Sequence, residues 1–260
     1  MPPVLDRADA EARLPRLGGM ARPNGVVIVS ERFWAFAATD GSLHEGTTPP
    51  RPALVAHVPL VRGLVRLGAA MSPLFRGRGV ARSRERMLLA VALLAPFLFF
   101  VLPDRLELVA GGAVTLGLLA WLMRGRTLNL HGAEHRAIAA VEERRLGDTW
   151  DGRTRPSRFA ARCGTNFAVL VVPVAAVSQA LWPLPVAAYT PVVLAVLSLA
   201  VTMEIWLAIE TSGRRVLRAL LLPGLGLQRL TTREPTLAET RVALRAAGSV
   251  LERELDAVRT

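Results

Sequence analysis

The sequence predicts a mainly α fold, an integral membrane helical bundle. About four transmembrane helices form two hairpins, with a small N-terminal β segment before them and a C-terminal amphipathic helix after. Three observations predict this. Of 260 residues, 52% are hydrophobic and mean hydropathy is +0.36, high for a chain that lives wholly in water. Four long apolar runs fall into two pairs, each pair joined by a short turn. The formal charge of +11, with all 32 basic residues arginine, is segregated from those runs.

Residues 1–16 carry mixed charge and no apolar run, so they read as a flexible tail rather than a secretory signal. Residues 17–50 read as a small cytoplasmic β segment. Within it "GVVIVSERFWAFAATDGSLHEG" (25–46) is rich in Val, Ile, Phe and Trp and has a turn signal at Asp40-Gly41, as in a hairpin or meander. Residues 51–86 hold an apolar stretch interrupted by Arg62 and Arg66, four apart, followed by a basic linker. Arginines in mid-run favour an interfacial helix, or one packed under the bundle, over a span.

The bundle is expected over residues 87–210. Its runs are Met87–Leu102, Leu106–Met123, Phe167–Trp182 and Pro191–Ile209. They sit at the short end of the roughly 17–25 residues a bilayer-crossing helix needs. Nine arginines lie in the central loop 124–165, whereas the two hairpin turns hold only Arg105. Positive loops stay cytoplasmic, which places both termini and the central loop inside. The expected location is the cell inner (plasma) membrane, multi-pass. Residues 211–260 form a cytoplasmic helical region. Thr236 and Glu239 make a capping-box pattern, and Leu237, Leu244, Leu251 and Leu255 recur at helical spacing. That helix either packs on the protein or offers a surface to a cytosolic protein partner.

The chemistry-bearing residues are few. His131, Glu134 and His135 in "HGAEH" have i, i+3, i+4 spacing and share one helix face. Two histidines one turn apart can present ring nitrogens to one divalent ion, a geometry used by zinc, and the string matches the inverted zincin order. Glu134 would be a ligand, an orienting acceptor or a general base. The alternative is three polar residues facing water at a membrane boundary. Cys163, the one cysteine, precedes the third run and cannot form an internal disulfide. Glu204 lies within the fourth run, about 9 Å deeper than Glu210 at helical rise. An acid in a membrane helix is a functional candidate unless it pairs with an arginine such as Arg62 or Arg214. Topology puts His131, His135, Cys163 and Glu204 at one membrane level. His44 reads as an exposed loop residue and His57 as a packed one. Aromatics are sparse on the basic surface, so the expected partners are the lipid bilayer and anionic lipid headgroups, with no nucleic acid.

"HGAEH", "RCGTNF", "PLVRG" (59–63) and "PGLGLQRLTTREP" (223–235) together resemble the YqhQ family, bacterial membrane proteins of unknown function described as predicted metal-dependent enzymes. The likeness runs from "GGMARPNG" to the helix after "TTREP". It implies a multi-pass protein with a cytoplasmic polar site built from His131, Glu134, His135 and Cys163. The family's last-helix glutamate falls on Glu204, with Glu210 as the alternative. Three positions depart from the family. Its histidine three residues before the cysteine is Ala160 here, its longer glycine-rich N-terminal motif is contracted to "GGMARPNG", and a tyrosine before the last glutamate is Met203.

Two functions are therefore expected to compete. One is a membrane-embedded metal-dependent enzyme with His131, His135, Cys163 and Glu204 around a divalent ion such as zinc, and Glu134 and Cys163 as catalytic groups. The other is a non-catalytic membrane scaffold or regulatory protein in which "HGAEH" is a hydrogen-bonded knot. A small transporter is a third reading, weakened by the lack of an inverted repeat.

Overall fold

The computed structural model describes residues 1–50, 52–77, 79–81, 124–187, 189–212 and 215–259, with scattered positions between 83 and 120. Helix α1 (Pro2–Ala10) leads into four strands, β1 (Gly18–Arg22), β2 (Gly25–Val29), β3 (Phe33–Ala38) and β4 (Leu43–Thr47). Helices α2 (Ala53–Ala56) and α3 (Val61–Arg76) follow. After the sparsely described stretch come α4 (Thr127–Glu143), α5 (Leu146–Trp150), α6 (Gly164–Ala180), α7 (Thr190–Ser212), α8 (Arg215–Ala219), α9 (Leu222–Thr231) and α10 (Leu237–Arg259).

The strands form one antiparallel sheet in chain order. Asn24 leads into Gly25 at the β1–β2 turn, where Arg22 pairs with Gly25. At the β3–β4 turn Asp40 Oδ1 accepts the Ser42 backbone N–H at 2.8 Å and Gly41 takes φ +93°, a backbone that glycine adopts without strain. β2 is apolar on both faces because both are covered. Val26 and Ile28 join Ala35 and Ala37 against α4 and α10, whereas Val27, Trp34 and Phe36 meet Leu74 and Val80 on the other side.

The main core lies between the sheet, α4 and α10. Leu130, Ala133 and Ala137 of α4 face Ala243, Leu244, Ala247 and Leu251 of α10. Small residues on both helices let the axes approach. The capping box forms: Glu239 N–H donates to Thr236 Oγ1 at 3.2 Å, and Thr236 N–H to Glu239 Oε2 at 2.9 Å. Ser30 and Arg32 of the β2–β3 turn donate to buried Glu254, fastening the sheet to α10.

Several expectations change here. The four-span membrane bundle is corrected. Among the described residues one helix, α7, is long and apolar enough to cross a membrane, and the apolar α6 has 17 residues. The first expected hairpin, 87–123, lies largely outside the described residues. What organises the chain is a four-stranded sheet with two helices on one face, which hydropathy alone does not reveal. The expected tail 1–16 includes α1, whose Leu5 and Ala8 are fully buried in the main core, and Asp9 caps α5 by accepting the Leu146 and Gly147 N–H groups, both at 2.9 Å. Residues 124–165, read as a loop, contain α4 and α5.

Candidate metal centre

Helix α4 delivers the two histidines. His131 and His135 are one turn apart, with ring centroids 4.4 Å from each other and planes at 65°. Each ring is fixed by a backbone carbonyl. His131 Nδ1 lies 2.8 Å from the Thr231 carbonyl oxygen, and His135 Nδ1 lies 2.7 Å from that of Arg158. A carbonyl can only accept, so both Nδ1 atoms carry the proton and both Nε2 atoms present a lone pair when the rings are neutral. Burial keeps them neutral. It lowers the His131 pKa and, with His131 alongside, brings His135 to about 4.

The third group arrives from another element. Cys163 is the N-cap of α6 and is buried. Its Sγ lies 3.2 Å from His131 Nε2 and accepts the Thr165 backbone N–H at 3.4 Å. His135 Nε2 is buried and has no hydrogen-bond partner among the described residues. The three donor atoms lie within 4.8 Å of one another. Tetrahedral bonds of about 2.0–2.1 Å to nitrogen and about 2.3 Å to sulfur would set neighbouring donors roughly 3.3–3.6 Å apart. A small contraction therefore brings all three onto one ion, and the residues present fit a divalent transition metal.

Burial, with the charge of Glu134 second, raises the Cys163 thiol to about 11, and hydrogen bonds from Thr165 pull the other way. The helix N-terminus also favours the thiolate. A cation at the three donors would reverse the effect of burial, since a coordinating thiol is deprotonated.

The surrounding backbone is tied down by residues in or near the motifs that the spacing did not single out. Buried Arg136 donates to the Pro156 carbonyl at 3.0 Å and to Glu234 at 2.7 Å. Arg158 donates to both the carbonyl and the hydroxyl of Thr232. Buried Gln228 and Asn166 hold both backbone groups of Ala160: Gln228 Oε1 accepts its N–H at 2.9 Å, and both amides donate to its carbonyl. Position 160 thus fastens the loop that ends at Cys163. Polar side chains inside the apolar strings "RCGTNF" and "PGLGLQ" were the available signal. Gly132 lets the 231–235 segment approach, because a Cβ there would strike the Arg233 carbonyl and Pro235.

Glu134 turns toward β1 instead of joining the three donors. It is 5% exposed and lies where a Cβ on Gly19 would be, 2.6 Å from its Cγ. Burial raises its pKa to about 8 despite a hydrogen bond from the Ala21 backbone. The glycine pair in "GGMARPNG" is the sequence signal for this contact.

Glu204 is elsewhere. Its carboxylate takes the Arg62 guanidinium in a two-pronged ion pair and the Leu60 N–H at 3.0 Å. "PLVRG" and the α7 glutamate therefore meet each other and not the histidines. Of the alternatives for Glu204, the arginine partner is the one found. Glu210 accepts the Trp206 indole N–H at 3.1 Å. His44 lies in β4 and stacks on Phe36 at 6.2 Å, and His57 is exposed.

Residues 116–253, just over half of the chain, match the family described as "Protein of unknown function (DUF1385)", and the chain belongs to that family. No curated protein and no solved structure matches it.

Proposed function

We propose that this member of the DUF1385 family is a metal-dependent enzyme working at a membrane surface, with His131 Nε2, His135 Nε2 and Cys163 Sγ as the ligands. The observation that carries the reading is His135 Nε2, a buried lone pair with no hydrogen-bond partner among the described residues, grouped with two further donors. Leaving a buried acceptor unsatisfied costs about 1–3 kcal/mol, and a bound ion removes that cost. Two neutral imidazoles and one thiolate suit zinc best among common divalent ions. Resemblance to the YqhQ family, expected to be metal-dependent, supports the same reading.

Three protein ligands leave a fourth position open, the pattern of catalytic and not of structural zinc sites. A divalent ion held there supplies Lewis-acid chemistry. The chain's own residues do the rest. The Thr231 and Arg158 carbonyls orient the rings, α6 presents Cys163 from its N-terminus, and Glu134 holds a proton beside the ligand set. α7 would anchor the chain in the bilayer, since 28% of its apolar window is buried within the protein.

The scaffold reading draws on Ala160, which removes one expected ligand and serves as a fastening point. Metal analysis of the purified chain separates the two. The enzyme reading expects about one zinc-like ion per chain, lost in His131→Ala, His135→Ala and Cys163→Ser. A folded wild type without metal, or His131→Ala that loses stability and keeps its metal content, overturns it.

A further inference from the structure

Beside the Cys163 loop, the end of α7 and the start of α9 enclose a cavity of about 580 Å³, within the range of small-ligand sites. Its walls are mainly apolar: Trp206 and Ile209 from α7, and Leu221, Leu222 and Leu225 from the α8–α9 turn and α9. Three arginines from three separate segments also line it, Arg16, Arg162 and Arg218. One carboxylate, Glu210, faces the same space and already accepts the Trp206 indole N–H. Arg162 is engaged by Glu142. Arg16 and Arg218 have no ion-pair partner among the described residues.

An apolar cavity lined by two guanidinium groups without an ion-pair partner among the described residues matches a ligand with an apolar body and an anionic head. Guanidinium favours phosphate because its planar donors engage two oxygens together. The position selects the source. The cavity sits at one end of the apolar helix α7, and beside it α9 exposes Leu222 and Leu230, 63% and 68% accessible. We infer that this cavity binds an anionic phospholipid, with its phosphate at Arg16 and Arg218 and its acyl chains along the apolar wall. Ala161 and Arg162 of its wall run directly into Cys163. That lipid phosphate is also the substrate class of the metal centre rests on the reading proposed above; lipid binding itself does not.

The test uses the full chain in phosphatidylcholine nanodiscs doped with phosphatidic acid whose acyl chains are brominated, a quencher of tryptophan fluorescence. Trp206 is one of five tryptophans, so the signal assigned to it is the quenching that Trp206→Phe loses. The expected result is quenching at a mole fraction about tenfold below that needed with brominated phosphatidylcholine, shifted about tenfold upward by Arg16→Gln with Arg218→Gln. Both arginines are exposed, so the double variant should fold, with circular dichroism as the check. Millimolar glycerol phosphate should not compete. Equal quenching by the two lipids, no shift in the double variant, or competition by glycerol phosphate as effective as by lipid overturns the proposal. Metal content measured on the same samples keeps the two readings apart. Lipid preference without metal overturns the metal centre alone, and metal without lipid preference overturns the cavity alone.

Discussion

At His131 and His135 the side chains carry little freedom, because each Nδ1 proton is spent on a backbone carbonyl. Such outer partners set tautomer and ring direction, and their loss typically costs 10–100-fold in metal affinity. Arg158 supplies one of the carbonyls and also binds Thr232, next to the other. Arg158→Ala should therefore keep all three ligands and still weaken metal binding about tenfold, read by competition with a chromogenic chelator; unchanged affinity would mean that the loop holds itself. Protonation gives a second expectation, for chelator-treated protein. Glu134 is raised from 4.5 to about 8, so between those values the folded chain holds a proton that the unfolded chain has released, and stability falls as pH rises. His135 is lowered from 6.5 to about 4. Between those values the unfolded chain binds the extra proton, and stability rises with pH. His131 acts in the same sense as His135. Once the unfolded histidines have lost their protons, above about pH 7, Glu134 dominates, so the thermal midpoint should decline from about pH 7 to 8 and Glu134→Gln should flatten that decline; Cys163, raised from 9.0 to about 11, adds in the same sense only at higher pH. A wild-type midpoint that stays level across the window would contradict a buried, proton-carrying Glu134.

At the scale of elements, α4 is a junction: β1, α10 and the 231–235 segment all close on it. Gly132 is the point of nearest approach. Gly132→Ala would push the Arg233 carbonyl away, at a cost of about 1–3 kcal/mol, and would displace the Thr231 carbonyl that holds His131. Both effects are measurable, as a lower melting temperature and as weaker metal binding; a variant with wild-type stability would show that the segment yields freely. Glu204→Gln tests the opposite assignment. The carboxylate serves Arg62 and Leu60, so metal content should stay unchanged, and its loss would restore Glu204 to the ligand set. Much of this was legible. The i, i+4 histidines, the capping box at Thr236 and the turn at Asp40-Gly41 are local patterns, and local patterns survive translation into structure. β1 falls inside the expected β segment 17–50, but "GGMAR" has no alternation and weak strand propensity; its pairing with β2 fixes it, with Asn24-Gly25 as the turn signal. The Glu204–Arg62 contact spans 142 residues, a distance across which spacing carries no information.

For the whole molecule, hydropathy and packing answered different questions. Apolar runs announced four spans, yet α4 and α10, with mean hydropathy too low to stand out, hold the main core through Ala and Leu faces against the sheet. Only α7 among the described residues has the length and composition of a span. Its long apolar window is covered elsewhere in the chain only in part: Val193 and Val196 are 40% and 47% exposed. A helix in water would need those positions covered by a second protein surface, whereas in a bilayer the lipid covers them. An arginine tells the two apart. At the centre of an inserted helix it costs about 2.5–3.5 kcal/mol; at an edge of a protein contact the long side chain can reach water. Val196→Arg should therefore shift the chain from the carbonate-resistant membrane fraction to the soluble one while the sheet and α10, whose core is built with α4, keep their far-ultraviolet signature. Wild-type chain released by carbonate, or a Val196→Arg variant that stays in the membrane pellet, would show that α7 is held by something other than the bilayer.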